Sequence, residues 1–199
     1  MKDRPQLWVF AGPNGAGKST LAERFMKDRL PIVNPDVIAR DLPRKPDGRL
    51  AEAEAGRQAI EQRSAYIAAG QSFAFETTLS GASELRAMQA ALNAGYKVNL
   101  VFVGLDATVL SQGRVGERVA KGGHDVPADA IERRYRRAME ALPKAAVLAE
   151  RVILFDNSGS SHKLVLVYED GQARHHASLP GWAARALGDL PAFLNGKTD

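Results

Sequence analysis

Three groups of residues in this chain have the types and spacing needed to handle phosphate. The first is the run Gly12, Pro13, Asn14, Gly15, Ala16, Gly17, Lys18, Ser19, Thr20. Its glycines let the backbone curl so that successive N–H groups converge on an anion, and a helix N-terminus behind them adds partial positive charge. In such a loop the lysine neutralises nucleotide phosphates and the hydroxyl after it reaches Mg²⁺, so the run predicts an ATP site with Lys18 and Ser19 in those roles. The second group is made of Asp36, which closes Val33-Asn34-Pro35, and of Glu76, Thr77 and Thr78, which close Phe73-Ala74-Phe75. Open α/β sheets place ligand-binding residues at strand ends. Asp36 is therefore a candidate base for an acceptor hydroxyl, and Glu76 and Thr78 suit a polyhydroxylated acceptor. A lesser reading of Asp36, compatible with the first, is the N-cap of a helix starting at Val37; Glu76 equally suits a ligand for Mg²⁺-bound water or a satisfied strand-end carboxylate. The third group is cationic: Arg114 and Arg118 lie one helical turn apart, and Arg133, Arg134, Arg136 and Arg137 follow Pro127. Gly122 and Gly123 lie between the two sets as a hinge, which predicts a lid that brings an arginine to the phosphates.

These groups need a scaffold, and the apolar pattern supplies one. Strand-like runs lie near residues 6–11, 32–34, 73–77, 97–105 and 151–155, with helix-patterned stretches between them. Strands alternating with helices predict a parallel sheet covered on both faces. The loop then sits between a first strand and a helix through Thr20-Leu-Ala-Glu-Arg-Phe-Met26, as phosphate binding requires. Helices from about Leu50 to Ala69 and from Ser83 to Asn93 should stop at Gly70 and Gly95. Beyond Asp156, Lys163-Leu-Val-Leu-Val-Tyr168 and Asp170-Gly171 predict a hairpin, and Trp182 to Leu190 an amphipathic helix docked on the domain. The expected fold is thus a three-layer α/β P-loop NTPase or kinase fold with a parallel core sheet and a C-terminal β-hairpin. One domain spans 1–199, its core about 6–157 and its accessory hairpin and helix about 160–192.

Composition narrows the class. At 199 residues and 45% hydrophobic content the chain can bury one substantial core. It has no cysteine, hence no disulfide framework and no thiolate zinc site, and its four histidines are scattered. The first strand begins so early, and the apolar runs are so short, that neither a signal peptide nor a membrane span is expected; the reading is a cytoplasmic enzyme. A net charge of +4 does not argue for nucleic acid as a partner.

Transporter-type ATPases share the loop wording, but they also need an apolar strand ending in Asp-Glu and a Ser-Gly-Gly-Gln signature. Leu79-Ser80-Gly81-Ala82 is only a faint echo of the latter. A small kinase needs an acceptor site facing the γ-phosphate and a cationic lid, because phosphoryl transfer is mostly positioning and charge neutralisation. The other groups provide those parts. The rival class is a nucleotide-dependent interaction module, with a nucleic acid or protein partner, using the Arg133 to Arg137 face. A kinase acting on another hydroxyl, of an antibiotic or a nucleic-acid end, is the rival within enzymes.

The loop, Asp36, Glu76-Thr77-Thr78, the run Ala94-Gly-Tyr-Lys-Val-Asn-Leu-Val-Phe102 and the segment through Gly122-Gly-His-Asp-Val-Pro127 together resemble the zeta-toxin family of P-loop kinases over about residues 6–157. The resemblance implies ATP- and Mg²⁺-dependent phosphorylation of the 3′-hydroxyl of UDP-N-acetylglucosamine. It also implies Asp36 as base, with Glu76 and Thr78 holding the acceptor. The catalytic set is then Asp36 and Lys18 with lid arginines, Arg118 and Arg134 foremost, and Arg114 on the acceptor side. An antitoxin is the partner the resemblance implies. The helical sequence that commonly precedes the loop and meets the antitoxin in this family has no counterpart here, which weighs against that partner. Leu79-Ser80 also stands where the family can carry an acceptor-side arginine.

His124, beside the hinge, is expected to order its loop, and Asp106 equally suits a ligand for Mg²⁺-bound water or the cap of a helix starting at Ala107. Asp156-Asn157 lies where an adenine ring can rest, and Arg57 is placed on the acceptor side by guess.

Overall fold

Period-two alternation organises the centre of the molecule. Along β1 (Gln6–Ala11), Leu7, Val9 and Ala11 enter one apolar layer while Phe10, with Trp8 beside it, enters another. The computed structural model describes residues 4–44, 51–106, 113–116, 127–194 and 197–198. Its further strands are β2 (Ile32–Val33), β3 (Phe73–Thr77), β4 (Lys97–Gly104), β5 (Arg151–Asp156), β6 (Lys163–Glu169), β7 (Gln172–His175) and β8 (Lys197–Thr198). They form one sheet in the order β2-β3-β1-β4-β5-β6-β7-β8. From β2 to β5 every neighbouring pair is parallel, and the β6-β7 hairpin extends the sheet antiparallel. The hairpin turns through Asp170 and Gly171, both with positive φ (53° and 75°), as an Asp-Gly turn between twisted strands requires. β8 then pairs parallel with β7, an addition the apolar pattern does not announce.

The helices are α1 (Lys18–Met26), α2 (Pro35–Asp41), α3 (Glu52–Ala68), α4 (Ser83–Asn93), α5 (Ala128–Leu148), α6 (Gly181–Ala186) and α7 (Pro191–Leu194). α1 covers one face of the sheet with Leu21, Ala22 and Met26, packed with Phe10, Ala74, Val101 and Val103. Met88 and Ala91 of α4, Leu142, Ala145 and Ala146 of α5, and Trp182 of α6 cover the other. Two apolar layers on one sheet make the three-layer architecture.

Two polar ties set the geometry near the sheet's ends. The Tyr96 hydroxyl donates a hydrogen bond shared between the carbonyls of Tyr66 (2.8 Å) and Gln71 (2.9 Å), and so anchors the end of α3 to the start of β4. Trp182, expected to dock, is buried against Phe102 with ring centroids 5.7 Å apart, and its indole N–H donates to Asp156 Oδ1 at 2.9 Å. The expected helix from Trp182 to Leu190 is shorter than predicted. It ends at Ala186 and the chain restarts as α7 at Pro191, which suits the first turn of a new helix. Among the described residues, no helix is long and apolar enough to cross a membrane.

Candidate active site

The phosphate loop leaves β1 at the centre of the sheet, and strand register decides what faces it. Phe10 is level with Glu76 and Ala11 with Thr77 on β3, while Val33 of β2 is level with Phe75. The ends of three strands therefore arrive together: the loop from β1, Asn34 and Asp36 after β2, and Glu76 to Thr78 from β3.

Within the loop, Gly12 has φ 139°, and a Cβ there would overlap the carbonyl of Val103 on β4. Gly17 has φ 88°, and a Cβ there would lie 2.5 Å from His162 Nε2 and 2.9 Å from Asn157 Nδ2. Only glycine satisfies both the backbone and the space at these points. Gly17 is also the N-cap of α1 and brings no side chain to it, so the first-turn N–H groups remain for an anion. Lys18 Nζ donates to Pro13 O at 2.8 Å and closes the loop on itself. From behind, Asn157 Nδ2 donates to Ala16 O at 2.9 Å. His162 packs on the same spot, edge-on to Phe155, and burial pulls its pKa below the usual histidine range. Asp156-Asn157, expected to border an adenine ring, thus brace the fold and the loop: Asp156 Oδ1 accepts from Trp182 and from the Ser158 hydroxyl.

Glu76 is the electrostatic centre of the site. Its Oε2 accepts from the Ser19 hydroxyl at 2.6 Å and its Oε1 from the Asn34 amide at 2.9 Å, and the residue is buried. Burial raises its pKa above the ordinary carboxylate range, while the Ser19 hydroxyl, the Lys18 charge and the Asn34 amide pull it back down. Both oxygens are thus turned toward the loop serine and β2. An acid whose folded pKa is raised penalises the folded state above that pKa, and the penalty is relieved as pH falls through it. Glu76→Gln keeps the shape and removes the buried charge. The variant is expected to melt higher at neutral pH, by about 2–4 °C for each kcal/mol of burial cost removed. It should also lose this group's stability gain on acidification between neutrality and the ordinary carboxylate range. Calorimetry across that interval checks both.

Asp36 does not cap the helix that follows, the lesser role its position allowed. The cap is Asn34, whose Oδ1 accepts from the Asp36 N–H at 2.9 Å, and Pro35 takes the first helical position, where its missing N–H costs nothing. Asp36 sits in the first turn of α2, exposed, and lines the large cavity in front of the loop. Thr78 shares a hydrogen bond with Ser80 (2.8 Å) and lines the same cavity. Leu79 between them adopts φ 56° and is fully buried, so it turns into the core and Ser80 lines the cavity.

The cavity measures about 670 Å³ and brings together Lys18, Ser19, Asp36, Glu76, Thr78 and four arginines, among them Arg114 and Arg134. Arg114 also donates to Gly159 O at 2.7 Å, and Arg134 comes from α5. Arg133 is exposed and paired with Asp129 at 3.3 Å, and Arg136 and Arg137 are exposed. Arg118, the Gly122-Gly123 hinge, His124 and the helix expected from Ala107 lie outside the described residues. Arg57 lines the cavity and pairs with Glu54. Three residues were missed as parts of the site by reading motifs. These are Asn34, His162 and Arg63; Asn34 had a local signal, since Asn before Pro-Asp is a strong N-cap pattern.

A parallel sheet with a glycine loop between its first strand and a helix, and acceptor-side residues on two neighbouring strand ends, defines a P-loop NTPase or kinase fold. Within that class the chain belongs to the AAA_33 family of AAA domains, whose profile matches residues 7–142. An uncharacterized protein of Haemophilus influenzae is 37% identical over 141 residues, covering 66% of this chain and 99% of that protein. Among solved structures, the AvrRxo1-ORF1:AvrRxo1-ORF2 complex with sulphate ions aligns with a TM-score of 0.70 at 17% identity, covering 88% of this chain and 62% of the other. The same complex with ATP gives 0.67 at 18%, covering 83% and 59%. The chain thus spans about three fifths of that structural relative's length. The PezAT chromosomal toxin-antitoxin system of Streptococcus pneumoniae aligns at 0.63 and 15% identity, covering 98% and 80%.

Proposed function

We propose that this protein is an ATP-dependent phosphotransferase of the zeta-toxin kind that moves the γ-phosphoryl group to a sugar hydroxyl, with the 3′-hydroxyl of UDP-N-acetylglucosamine as the acceptor to test first. The observation that carries the reading is the single cavity that joins the phosphate loop to Asp36 and Thr78. Loop N–H groups and Lys18 hold the nucleotide phosphates. Asp36 orients the acceptor hydroxyl and takes its proton while the hydroxyl oxygen bonds to the γ-phosphorus and the bond to ADP breaks. Thr78 steadies the acceptor. Ser19 and Glu76 fit Mg²⁺, because a hydroxyl and a carboxylate oxygen 2.6 Å apart are adjacent hard oxygen ligands. Bound there, Mg²⁺ would neutralise charge on the β- and γ-phosphates. Glu76, read from sequence as an acceptor ligand, is reassigned in this proposal to the metal side, since both its oxygens face Ser19 and Asn34. The likeness to chains from a toxin-antitoxin system and from a two-protein complex supports a protein partner of antitoxin type.

Incubation with ATP, Mg²⁺ and UDP-N-acetylglucosamine, followed by phosphorus NMR, tests the reading. A new 3′-phosphate resonance supports it, and ADP with free phosphate alone at about millimolar acceptor removes this acceptor. Arginine suits a transferring phosphoryl group because its planar fork binds two oxygens and stays charged when water is expelled. Arg134→Ala is therefore expected to lower kcat by about tenfold or more while ATP affinity changes about twofold at most, because the contact strengthens in the transition state. Exposed Arg137→Ala should be silent. Steady-state kinetics of the pair checks this.

A further inference from the structure

Arg63 is a cation built into the cavity wall by elements that contribute nothing to the phosphate loop. It projects from α3 and is only 6% exposed, its guanidinium lying 4.8 Å from the centroid of the Phe75 ring. Its Nε donates to Ala59 O at 3.2 Å, and among the described residues that is its only hydrogen bond. The two Nη groups are left over, on a side chain that lines the cavity. In the first turn of α4 lies Glu84, another lining residue, whose Oε2 is buried with no hydrogen-bond partner. The charges are near enough for Glu84 to favour the charged form of Arg63 against its burial, yet among the described residues they form no ion pair. The Glu84 oxygen, buried with no donor, is costly unless a ligand supplies one, and the Arg63 Nη donors on the cavity wall are free to bond a ligand. The phosphate loop already provides for ATP, so the occupant belongs to the other substrate.

We infer that Arg63 and Glu84 form an acceptor subsite for a polyhydroxylated anion, in which an oxyanion of the acceptor docks on the Arg63 fork and a neighbouring hydroxyl donates to Glu84 Oε2. The inference rests on the kinase reading and narrows its acceptor to a sugar phosphate, a nucleotide sugar or a sugar acid. An Arg fork matches carboxylate and phosphate alike. The Glu84 charge repels an anion that brings no hydroxyl with it, so the pair selects for both groups in one molecule.

The test is calorimetric titration of the full chain held in saturating non-hydrolysable ATP analogue and Mg²⁺, which occupies the loop. The probes are glucose, glucose 1-phosphate, gluconate and inorganic phosphate. At least one of the two anionic sugars is expected to bind about tenfold or more tightly than glucose, and which one does so separates phosphate from carboxylate recognition. Arg63→Gln should weaken that anion by about ten- to a hundredfold and glucose by about twofold at most. Glu84→Gln should act with opposite signs on two probes: weaker binding of the anionic sugar, tighter binding of inorganic phosphate. If Arg63→Gln does not fold, as judged by loss of its thermal transition, Arg63→Lys decides. It keeps the charge and loses the fork, so it should still weaken the anionic sugar by about fivefold or more. Equal binding of anionic and neutral sugars, no binding of either anion at about millimolar concentration, or an unchanged profile in the folded Arg63 variant and in Glu84→Gln overturns the subsite. The two readings fail separately. Absence of transfer to UDP-N-acetylglucosamine with these binding results intact removes only that acceptor, and transfer that Arg63→Gln leaves untouched removes only the subsite.

Discussion

Asp36→Asn is expected to reduce phosphoryl transfer by about 10²- to 10⁴-fold, the usual contribution of a positioned general base. The substitution preserves size and can still orient a hydroxyl, but it cannot take the proton. Folding should be unaffected for a specific reason: the cap of α2 is Asn34, whose side chain accepts from the residue 36 N–H, a bond to the backbone that the variant retains. ATP should bind as before, since the loop shares no hydrogen bond with the Asp36 side chain among the described residues. Single-turnover measurement with pre-bound ATP separates the chemical step from binding. Near-normal turnover would leave Asp36 as a helix-end carboxylate and take the base out of the mechanism.

Lys18→Ala should remove most of the stabilisation that ATP confers. A charge-assisted contact to phosphate contributes about 1.5–3 kcal/mol, so affinity should fall by about ten- to a hundredfold, and a concentration that nearly saturates the unmodified protein should leave the melting temperature almost unmoved. The fold should survive, because Lys18 spans the loop to Pro13 O and contributes to neither apolar layer. A second readout ties the variant to its surroundings. The Lys18 charge is one of the influences that lower the Glu76 pKa against burial. Without it the carboxyl pKa should rise further, and the stability gained as pH falls through that pKa should begin at a higher pH. A full ATP-dependent shift in the variant would mean that nucleotide binds elsewhere.

What was legible along the chain was local. The phosphate loop declares itself because Gly12, Gly15 and Gly17 all take positive φ within six consecutive residues, a conformation written directly in residue type. Gly70 and Gly95 stop α3 and α4 in the same conformation, and Asp170-Gly171 turns the hairpin. The strands β1 and β3 follow from apolar runs bounded by turns, and β3 and α4 match their expected limits. The expectations that changed lay at helix ends, where neighbouring residues compete for the same role. Asp36 gave up the cap to a residue two positions earlier, and the terminal helix broke where Pro191 started a new one.

By itself, then, the order of residues determined that a nucleotide loop stands between a central strand and its helix, with carboxylates and hydroxyls at the ends of the neighbouring strands. Only the tertiary structure decided what those groups do to one another. Glu76 meets Asn34 and Ser19 across 42 and 57 residues, and Asn157 meets the loop across 141. Arg63 carries no motif: on a helix surface an arginine is ordinarily solvated, and this one is buried over Phe75, where Ala59 of α3 and Phe75 of β3 share one apolar layer. Register on a parallel sheet fixes such meetings, and register is settled by the packing of both faces at once, which no single segment of the chain contains.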